Sequence, residues 1–355
     1  MGKFYESVLR PYLFRQEAEK AHESAVHYLQ FLGRFPFLCR MMEWRNLRPP
    51  RSKSIALFGL QFPNRVGLAA GMDKNAKFWP VAGALGFGHV EIGTVTYHPQ
   101  QGNPRPRLFR YPEQEALINR MGFNNDGATL IEKRLGKQIR RNLKRIPLGI
   151  NIGKSRIIRI EQAVEDYLKS YHLLAEHADY FTINVSSPNT PHLRKLQGSE
   201  YLPALLENLA TANFERARKL GTKPIPMLVK ISPDLTYREI DFIMETVLDL
   251  NYDGIIATNT AVSRPVQLRT RSEPGGLSGR PLQKRSTDII RYISKSTQGK
   301  FPIIGVGGIM DFASAGEKID AGASLIQIYT GWIYRGPFFA KHLARSLAHG
   351  HKKWI

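Results

Sequence analysis

The sequence predicts a (β/α)8 barrel preceded by an N-terminal helical extension. From about Arg51 onward, short apolar strands alternate with amphipathic helical stretches, about eight times within a chain of 355 residues. The strand candidates are almost continuously apolar, as parallel strands buried on both faces must be. Their C-terminal ends are polar one after another, and that is the end at which such barrels carry their chemistry.

In order, the strands read VGLAA (66–70), HVEIG (89–93), PLGINI (147–152), YFTINV (180–185), PMLVKI (226–231), GIIAT (254–258), PIIGVG (302–307) and SLIQIY (324–329). Helical spacing falls between them at 160–178, 201–220, 237–250 and 282–296. Ahead of the first strand, IALFGLQFPN (55–64) reads as a small hairpin closing the bottom of the barrel. A Rossmann sheet is the rival architecture, prompted by GVGGIM at 305–310. That match to GxGxxG is incomplete, lies near the C-terminus and lacks the acidic residue about 20 positions on, so it is set aside.

Residues 1–50 form a separate head, and 51–355 the barrel domain. Ala18, Ala21, Ala25, Tyr28, Leu29 and Leu32 recur at helical spacing opposite Glu19, Lys20, Glu23, His27 and Gln30. Phe35, Phe37, Leu38, Met41, Met42 and Trp44 crowd a second short span, and Pro49-Pro50 marks a linker. Residues 1–53 hold ten Lys and Arg against five Asp and Glu. The head reads either as helices packed on the barrel or as a basic amphipathic element in a membrane interface, and the two are compatible.

Fifty-one Lys and Arg against 30 Asp and Glu give a net charge of +21, which calls for an anionic partner or surface. A single cysteine, Cys39, excludes an internal disulfide framework and a Cys-rich metal site. The ten histidines show no HxH or HExxH spacing, and no metal is predicted. MGKFYESVLR has no apolar core of a secretory signal, and Glu6 stands where a myristoylation motif needs Ser or Thr. No apolar run approaches the ~18 residues of a membrane span. The expectation is peripheral attachment to the cytoplasmic side of a cell membrane, of bacterial type and without a targeting presequence.

The strand ends carry Lys74, Thr94, Asn151, Asn184 with Ser187, Lys230, Thr258 with Asn259 and Thr260, Gly307 with Gly308, and Tyr329 with Thr330. Any one of these fits a capping role; eight in succession do not. GVGG and YTGW expose backbone N–H groups after the last two strands, the usual barrel position for a phosphate, and GGLSG (275–279) adds a flexible loop on that face. Lys230 is a cation within an apolar strand and needs a partner there. A flavin ring supplies one at its N1/O2 edge. FTINVSSPNTPHLRKLQG, from Phe181, leaves the fourth strand through hydroxyls, amides and two stiffening prolines. Taken alone it is an ordinary polar turn.

GLAAGMDKN, EIGTVTYHPQ, NRMGFNN, GINIGK, NVSSPNTP, KISPDL, GIIATNT, GGLSGRPL, IIGVGGI and IQIYTG resemble, in order and spacing, the dihydroorotate dehydrogenases over about residues 51–340. The head resembles the extension of the membrane-associated, quinone-dependent class. The resemblance implies oxidation of dihydroorotate to orotate in pyrimidine biosynthesis, with FMN accepting hydride and a quinone as final acceptor. It implies FMN held by Ala70, Gly71, Met72, Asp73, Lys74, Thr94, Asn151, Asn184, Lys230, Thr258, Gly279, Gly308, Tyr329 and Thr330. Substrate contacts implied are Lys74, Asn119, Arg120, Met121, Gly122, Phe123, Asn184, Asn189, Asn259 and Thr260. Asn side chains both donate and accept, which suits a ring of alternating N–H and C=O groups, and Lys74 suits its carboxylate. Ser187 resembles the base of this class, with Thr190 and a water against Phe123 as relay candidates. The soluble class uses Cys there, and the barrel has none. His22, Arg110 and Tyr329 are placed along a quinone slot, and an acidic membrane surface is the implied partner of the head. A tRNA dihydrouridine synthase is the rival FMN barrel; it needs a loop cysteine and an RNA-binding extension, so nucleic acid is not expected as a partner.

Overall fold

Eight parallel strands close on themselves: β3 (Val66–Leu68), β4 (His89–Val95), β7 (Leu148–Ile152), β8 (Tyr180–Asn184), β9 (Met227–Ile231), β10 (Gly254–Ala257), β12 (Ile303–Val306) and β13 (Leu325–Ile328), with β13 returning to pair with β3. The computed structural model describes residues 4–47, 54–140, 146–265, 268 and 273–348; Lys3 and the expected Pro49-Pro50 linker lie outside them. Every residue of these eight strands is buried, which accounts for their apolar sequences. The hairpin β1 (Ile55–Leu57) and β2 (Leu60–Phe62) closes the bottom, its Ile55, Leu57, Phe58 and Leu60 packing on Tyr180, Leu228, Ile256 and Ile304.

The head contains α1 (Arg10–Arg15), entered through a wide turn at Tyr5–Leu9, then α2 (Ala18–Leu32) and α3 (Pro36–Leu47). The barrel helices are α4 (Ala128–Arg140), α5 (Ala163–Leu174), α6 (Leu202–Leu220), α7 (Tyr237–Asp249), α8 (Gln283–Ser296), α9 (Phe312–Asp320), α10 (Thr330–Arg335) and α11 (Phe339–Ala348). Their ends follow local chemistry. Thr236 and Glu239 form a reciprocal capping box on α7, and α6 stops at Gly221 in the left-handed region (φ 62°). On α2, the Glu17 carboxylate accepts the N–H groups of Glu19 and Lys20.

Two features depart from the simple alternation. The first strand is followed by short 3-10 turns, Trp79–Val81 and Gly83–Leu85, rather than a helix. Asp73 gathers the N–H groups of Lys77, Phe78 and Trp79 and so rolls the chain into turns, and α3 of the head covers them, Asn46 donating to the Ala84 carbonyl at 2.5 Å. The second departure is an antiparallel sheet of β5 (Leu108–Tyr111), β6 (Ala116–Asn119) and β11 (Gly276–Gly279). The segment 275–279, expected as a loop, is thus largely a strand whose partner is over 150 residues away.

The head is fastened to the barrel through polar and aromatic contacts. Glu19, on the buried face of α2, takes Arg107 Nη2 at 2.7 Å and Nε at 3.1 Å, and Arg105 at 3.2 Å. Tyr5 donates to the Ile333 carbonyl at 2.7 Å, and Phe14 meets Tyr334 edge-on at 5.3 Å. The outward face carries many exposed apolar side chains beside exposed Arg15, Lys20, Arg34 and Arg40. Among the described residues, eleven of the nineteen exposed large hydrophobic side chains precede residue 45, Phe37, Trp44 and Tyr28 foremost. Packing on the barrel and an exposed amphipathic face therefore coexist. No helix among the described residues is long and apolar enough to cross a membrane.

Candidate active site

A cavity of about 1030 Å3, its open mouth included, sits at the C-terminal ends of the strands. Its floor is a polar network inside the barrel. Glu91 of β4, fully buried, accepts from Asn151 Nδ2 (2.8 Å), Gln327 Nε2 (2.9 Å), Thr182 Oγ1 (3.1 Å) and Lys230 Nζ (3.4 Å). Asn151 Oδ1 accepts in turn from Thr94 Oγ1 (2.5 Å) and Asn184 Nδ2 (3.1 Å). The parallel register places Asn184 beside Lys230, so strand pairing itself brings these groups together. Lys230 thus has a protein partner that the sequence alone did not disclose. Glu91 reads in HVEIG as the one carboxylate in a strand expected to be buried, and that charge was the available signal.

Most substrate-type residues line the cavity: Lys74, Asn119, Met121, Gly122, Phe123, Asn184, Ser187, Asn189, Asn259 and Thr260. Asn189 Nδ2 donates to the Asn119 carbonyl and Oδ1, both at 3.0 Å, tying the Ser187 loop to β6. Asn259 Nδ2 donates to Ser186 Oγ at 3.0 Å. Ser187 is buried, its Oγ accepting the Asn189 N–H at 3.3 Å, and Thr190 Oγ1 is buried without a hydrogen-bond partner. Burial, opposed by the Glu19 charge, pulls the Lys74 ammonium down to about 8.

The same cavity is lined by Gly279, Gly307, Gly308, Tyr329, Thr330 and Gly331. Gly308 has φ 72°, and a Cβ there would sit 2.3 Å from Gln283 Cα, so only glycine lets this turn press against the start of α8. Thr330 Oγ1 donates to Ser278 Oγ at 2.9 Å, joining the last strand's loop to β11. Gln327 Oε1, in the cavity wall, is buried without a partner. A bare glycine turn, amide and hydroxyl walls and a buried cation at the floor fit a planar, polar-edged ring carrying a phosphate.

Four of the predicted cofactor and substrate residues stand elsewhere. Asn151 lies behind the cavity wall, orienting Thr94 and Asn184. Met72 and Asp73 line a smaller hollow of about 540 Å3 beneath α2, together with His22, Lys74 and Met121, and Asp73 is consumed by the turn it caps. Arg120 faces outward, where it pairs with Glu273 at 2.8 Å. Of the quinone candidates, His22 lies in the hollow under the head and Tyr329 in the main cavity. Arg110 donates to the Leu13 and Gln16 carbonyls and stacks 4.7 Å from the Phe14 ring centre, holding the α1–α2 corner. Burial, with Lys74 and Lys77 nearby, drops His22 to about 3, so its ring is neutral. Burial likewise raises the Tyr329 phenol to about 12. Cys39, on α3, is absent from the cavity lining.

Barrel and site together define the class of (β/α)8 oxidoreductases built around a ring cofactor. The dihydroorotate dehydrogenase family profile matches residues 53–350, and the chain belongs to that family. A protein of Chloroflexus aurantiacus named dihydroorotate dehydrogenase (quinone) is 48% identical over 351 residues, covering 97% of this chain and 96% of the relative. One of the same name from Salinispora arenicola is 49% identical over 354 residues, covering 96% and 98%. The crystal structure of the Eimeria tenella enzyme in complex with ferulenol superposes with a TM-score of 0.78 at 38% identity, over 87% of this chain and 89% of that one. The chain is thus an oxidoreductase acting on dihydroorotate in pyrimidine biosynthesis, of a flavin-dependent family.

Proposed function

We propose that the chain oxidises (S)-dihydroorotate to orotate with FMN as resident flavin, Ser187 as base and a membrane quinone as final acceptor. One observation carries the reading: Lys74, Ser187 and the amides of Asn119, Asn184, Asn189 and Asn259 share one cavity whose floor is Lys230. Ala70, Gly71, Thr94, Asn184, Lys230, Thr258, Gly279, Gly308, Tyr329 and Thr330 would hold the FMN. Bound there, FMN supplies the ring that accepts hydride from C6 of dihydroorotate.

The remaining work falls to the chain's own side chains. Lys74 holds the substrate carboxylate, and the four amides match the ring's donors and acceptors. Ser187 Oγ takes the proton from C5. A hydroxyl is a feeble base at neutral pH, so position and a relay carry the step. Pro188 and Pro191 limit the loop's freedom, and the unpartnered Thr190 Oγ1, with a water against Phe123, forms the relay. His22 and Tyr329 serve the quinone as neutral polar groups, and Arg110 acts on that side by fixing the head. The exposed apolar face and the basic residues of the head attach the protein to an acidic membrane surface, on the cytoplasmic side.

The test is anaerobic titration of FMN-reconstituted protein with dihydroorotate, followed by turnover with quinone, fumarate or NAD. Bleaching of the flavin and turnover with quinone alone are expected. A protein that takes up no FMN would overturn the reading.

A further inference from the structure

Ser187 and Asn189 have a second side. Besides the reaction cavity, both line an outer hollow of about 1050 Å3, open mouth included. Its walls carry Arg120, Arg156, His192, Arg194 and Lys195 and, among the described residues, no carboxylate. Arg120 and Arg194 are neutralised by Glu273 (2.8 Å) and Asp234 (2.9 Å). Arg156 and Lys195 are exposed and have no carboxylate partner among the described residues. Arg156 is nevertheless fixed in place. Its Nη1 donates to Asn103 Oδ1 at 2.6 Å, and its backbone N–H to Gln100 Oε1 at 2.9 Å. Asn103 Nδ2 donates in turn to the carbonyls of Arg120 (2.8 Å) and Asn189 (3.3 Å). One amide therefore links an unpaired guanidinium to the loop that bears Ser187.

The opposite approach to the reaction cavity differs in charge. The hollow under the head shares Lys74 and Met121 with the main cavity, and it contains Glu19, Glu23 and Asp73 alongside Lys74 and Lys77. There Glu19 and Glu23 pair with Arg105 and Arg107 at 2.5–3.2 Å and Asp73 accepts three backbone N–H groups, so its charges are largely balanced within the protein. The outer hollow keeps two cations, Arg156 and Lys195, that no carboxylate among the described residues balances.

We infer that the outer hollow is an anion-binding antechamber, through which the small carboxylate substrate reaches Ser187 and the carboxylate product leaves. The inference rests on the activity proposed above. Both ligands carry a fixed negative charge, so clustered cations on low-dielectric walls concentrate them at the loop and raise the rate of encounter. Salt screens such a field over roughly 8–10 Å at ordinary ionic strength. The hollow under the head is left to the apolar acceptor, and the two reactants use separate doors.

Stopped-flow binding of orotate to the oxidised holoenzyme, followed by the flavin absorbance change, tests this. Wild-type association should slow steeply as salt is raised from about 10 to about 300 mM. The double variant Arg156→Gln/Lys195→Gln should associate about tenfold more slowly at low salt, with a flatter salt dependence. Its flavin reduction rate at saturating dihydroorotate should match wild type, which separates delivery from chemistry. Lys77→Gln, at the other door, should leave the association rate alone. A double variant that binds orotate at wild-type speed with the wild-type salt slope overturns the proposal, as does slowing confined to Lys77→Gln. Loss of the activity reading itself shows differently: wild-type flavin would neither respond to orotate nor be reduced by dihydroorotate.

Discussion

Glu91 Oε1 lies 3.4 Å from Lys230 Nζ in the interior of the barrel, on strands that are not neighbours in the sheet. Both side chains are buried, and the carboxylate's remaining lone pairs are taken by Asn151, Gln327 and Thr182. Such a pair contributes little net stability against an apolar replacement, yet losing one member leaves the other uncompensated. Its position beneath the cavity gives it a further role: Glu91 fixes an ammonium that lines the cavity.

Lys230→Ala should therefore lower unfolding stability by about 3–5 kcal/mol and also weaken FMN binding. Adding Glu91→Gln to it should recover much of the stability and none of the FMN affinity. Lys230→Arg should rescue poorly, because a planar fork does not fit the place of a compact ammonium. Urea unfolding and FMN fluorescence titration read the two effects separately. Normal FMN affinity in Lys230→Ala would detach the lysine from the flavin.

The eight strands were legible because each is an apolar run of the right length, broken by Gly, Pro or amides at its end. The β5–β6–β11 sheet was not: Gly276 pairs with Asn119, and nothing local in GLSG announces a partner so distant. The missing first helix was hidden for the same reason, since its place in the outer layer is filled by α3 from the far end of the head. Within the site, Lys74, Asn184, Ser187, Lys230, Thr258 and Tyr329 were readable from the polar strand ends, whereas Asn119, Met121, Phe123 and Asn189 came only through the family resemblance. Glu91 was not, because a buried carboxylate makes sense only once Lys230, Asn151 and Gln327 are seen to converge on it.

Ser187→Ala should cut dihydroorotate oxidation by roughly 10²–10⁴-fold, the usual worth of a positioned base, while FMN content stays normal. Ser187→Cys should keep part of the activity, since a thiol ionises near 8.5. Rapid-mixing flavin reduction is the measurement, and wild-type reduction should quicken with rising pH. Near-normal reduction in Ser187→Ala would remove this residue from the mechanism.

Lys74 sets an opposing pH trend. Its ammonium, lowered by burial to about 8, is the form that the proposed function assigns to the substrate carboxylate. Above that pH the charged fraction falls about tenfold per unit, so KM for dihydroorotate should climb in alkali even as proton removal becomes easier. Lys74→Gln should raise KM throughout and flatten the climb. A wild-type KM that stays level from pH 7 to about pH 9.5 would place the carboxylate on another group.

Residues 1–50 should serve quinone and membrane rather than dihydroorotate. Deleting them is a blunt test. Truncation strips Glu19 from the buried Arg107, Phe14 from Tyr334 and the carbonyl partners from Arg110, so the barrel mouth itself would loosen. Point changes on the outward face avoid this. Phe37, Met41 and Trp44 are 81%, 54% and 63% exposed. Complete burial of one such side chain is worth about 1.5–3 kcal/mol, so even partial insertion of three should hold several kcal/mol. The triple change Phe37→Ser/Met41→Ser/Trp44→Ser should reduce binding to acidic vesicles about a hundredfold and depress turnover with a long-tailed quinone. Residual binding should be salt-sensitive, because exposed Arg15, Arg34 and Arg40 remain, each worth roughly 1 kcal/mol near an anionic surface. Anaerobic flavin reduction by dihydroorotate should be unchanged, since none of the three side chains lines the reaction cavity. Full vesicle binding and full quinone turnover in this variant would reduce the head to a packing element of the barrel.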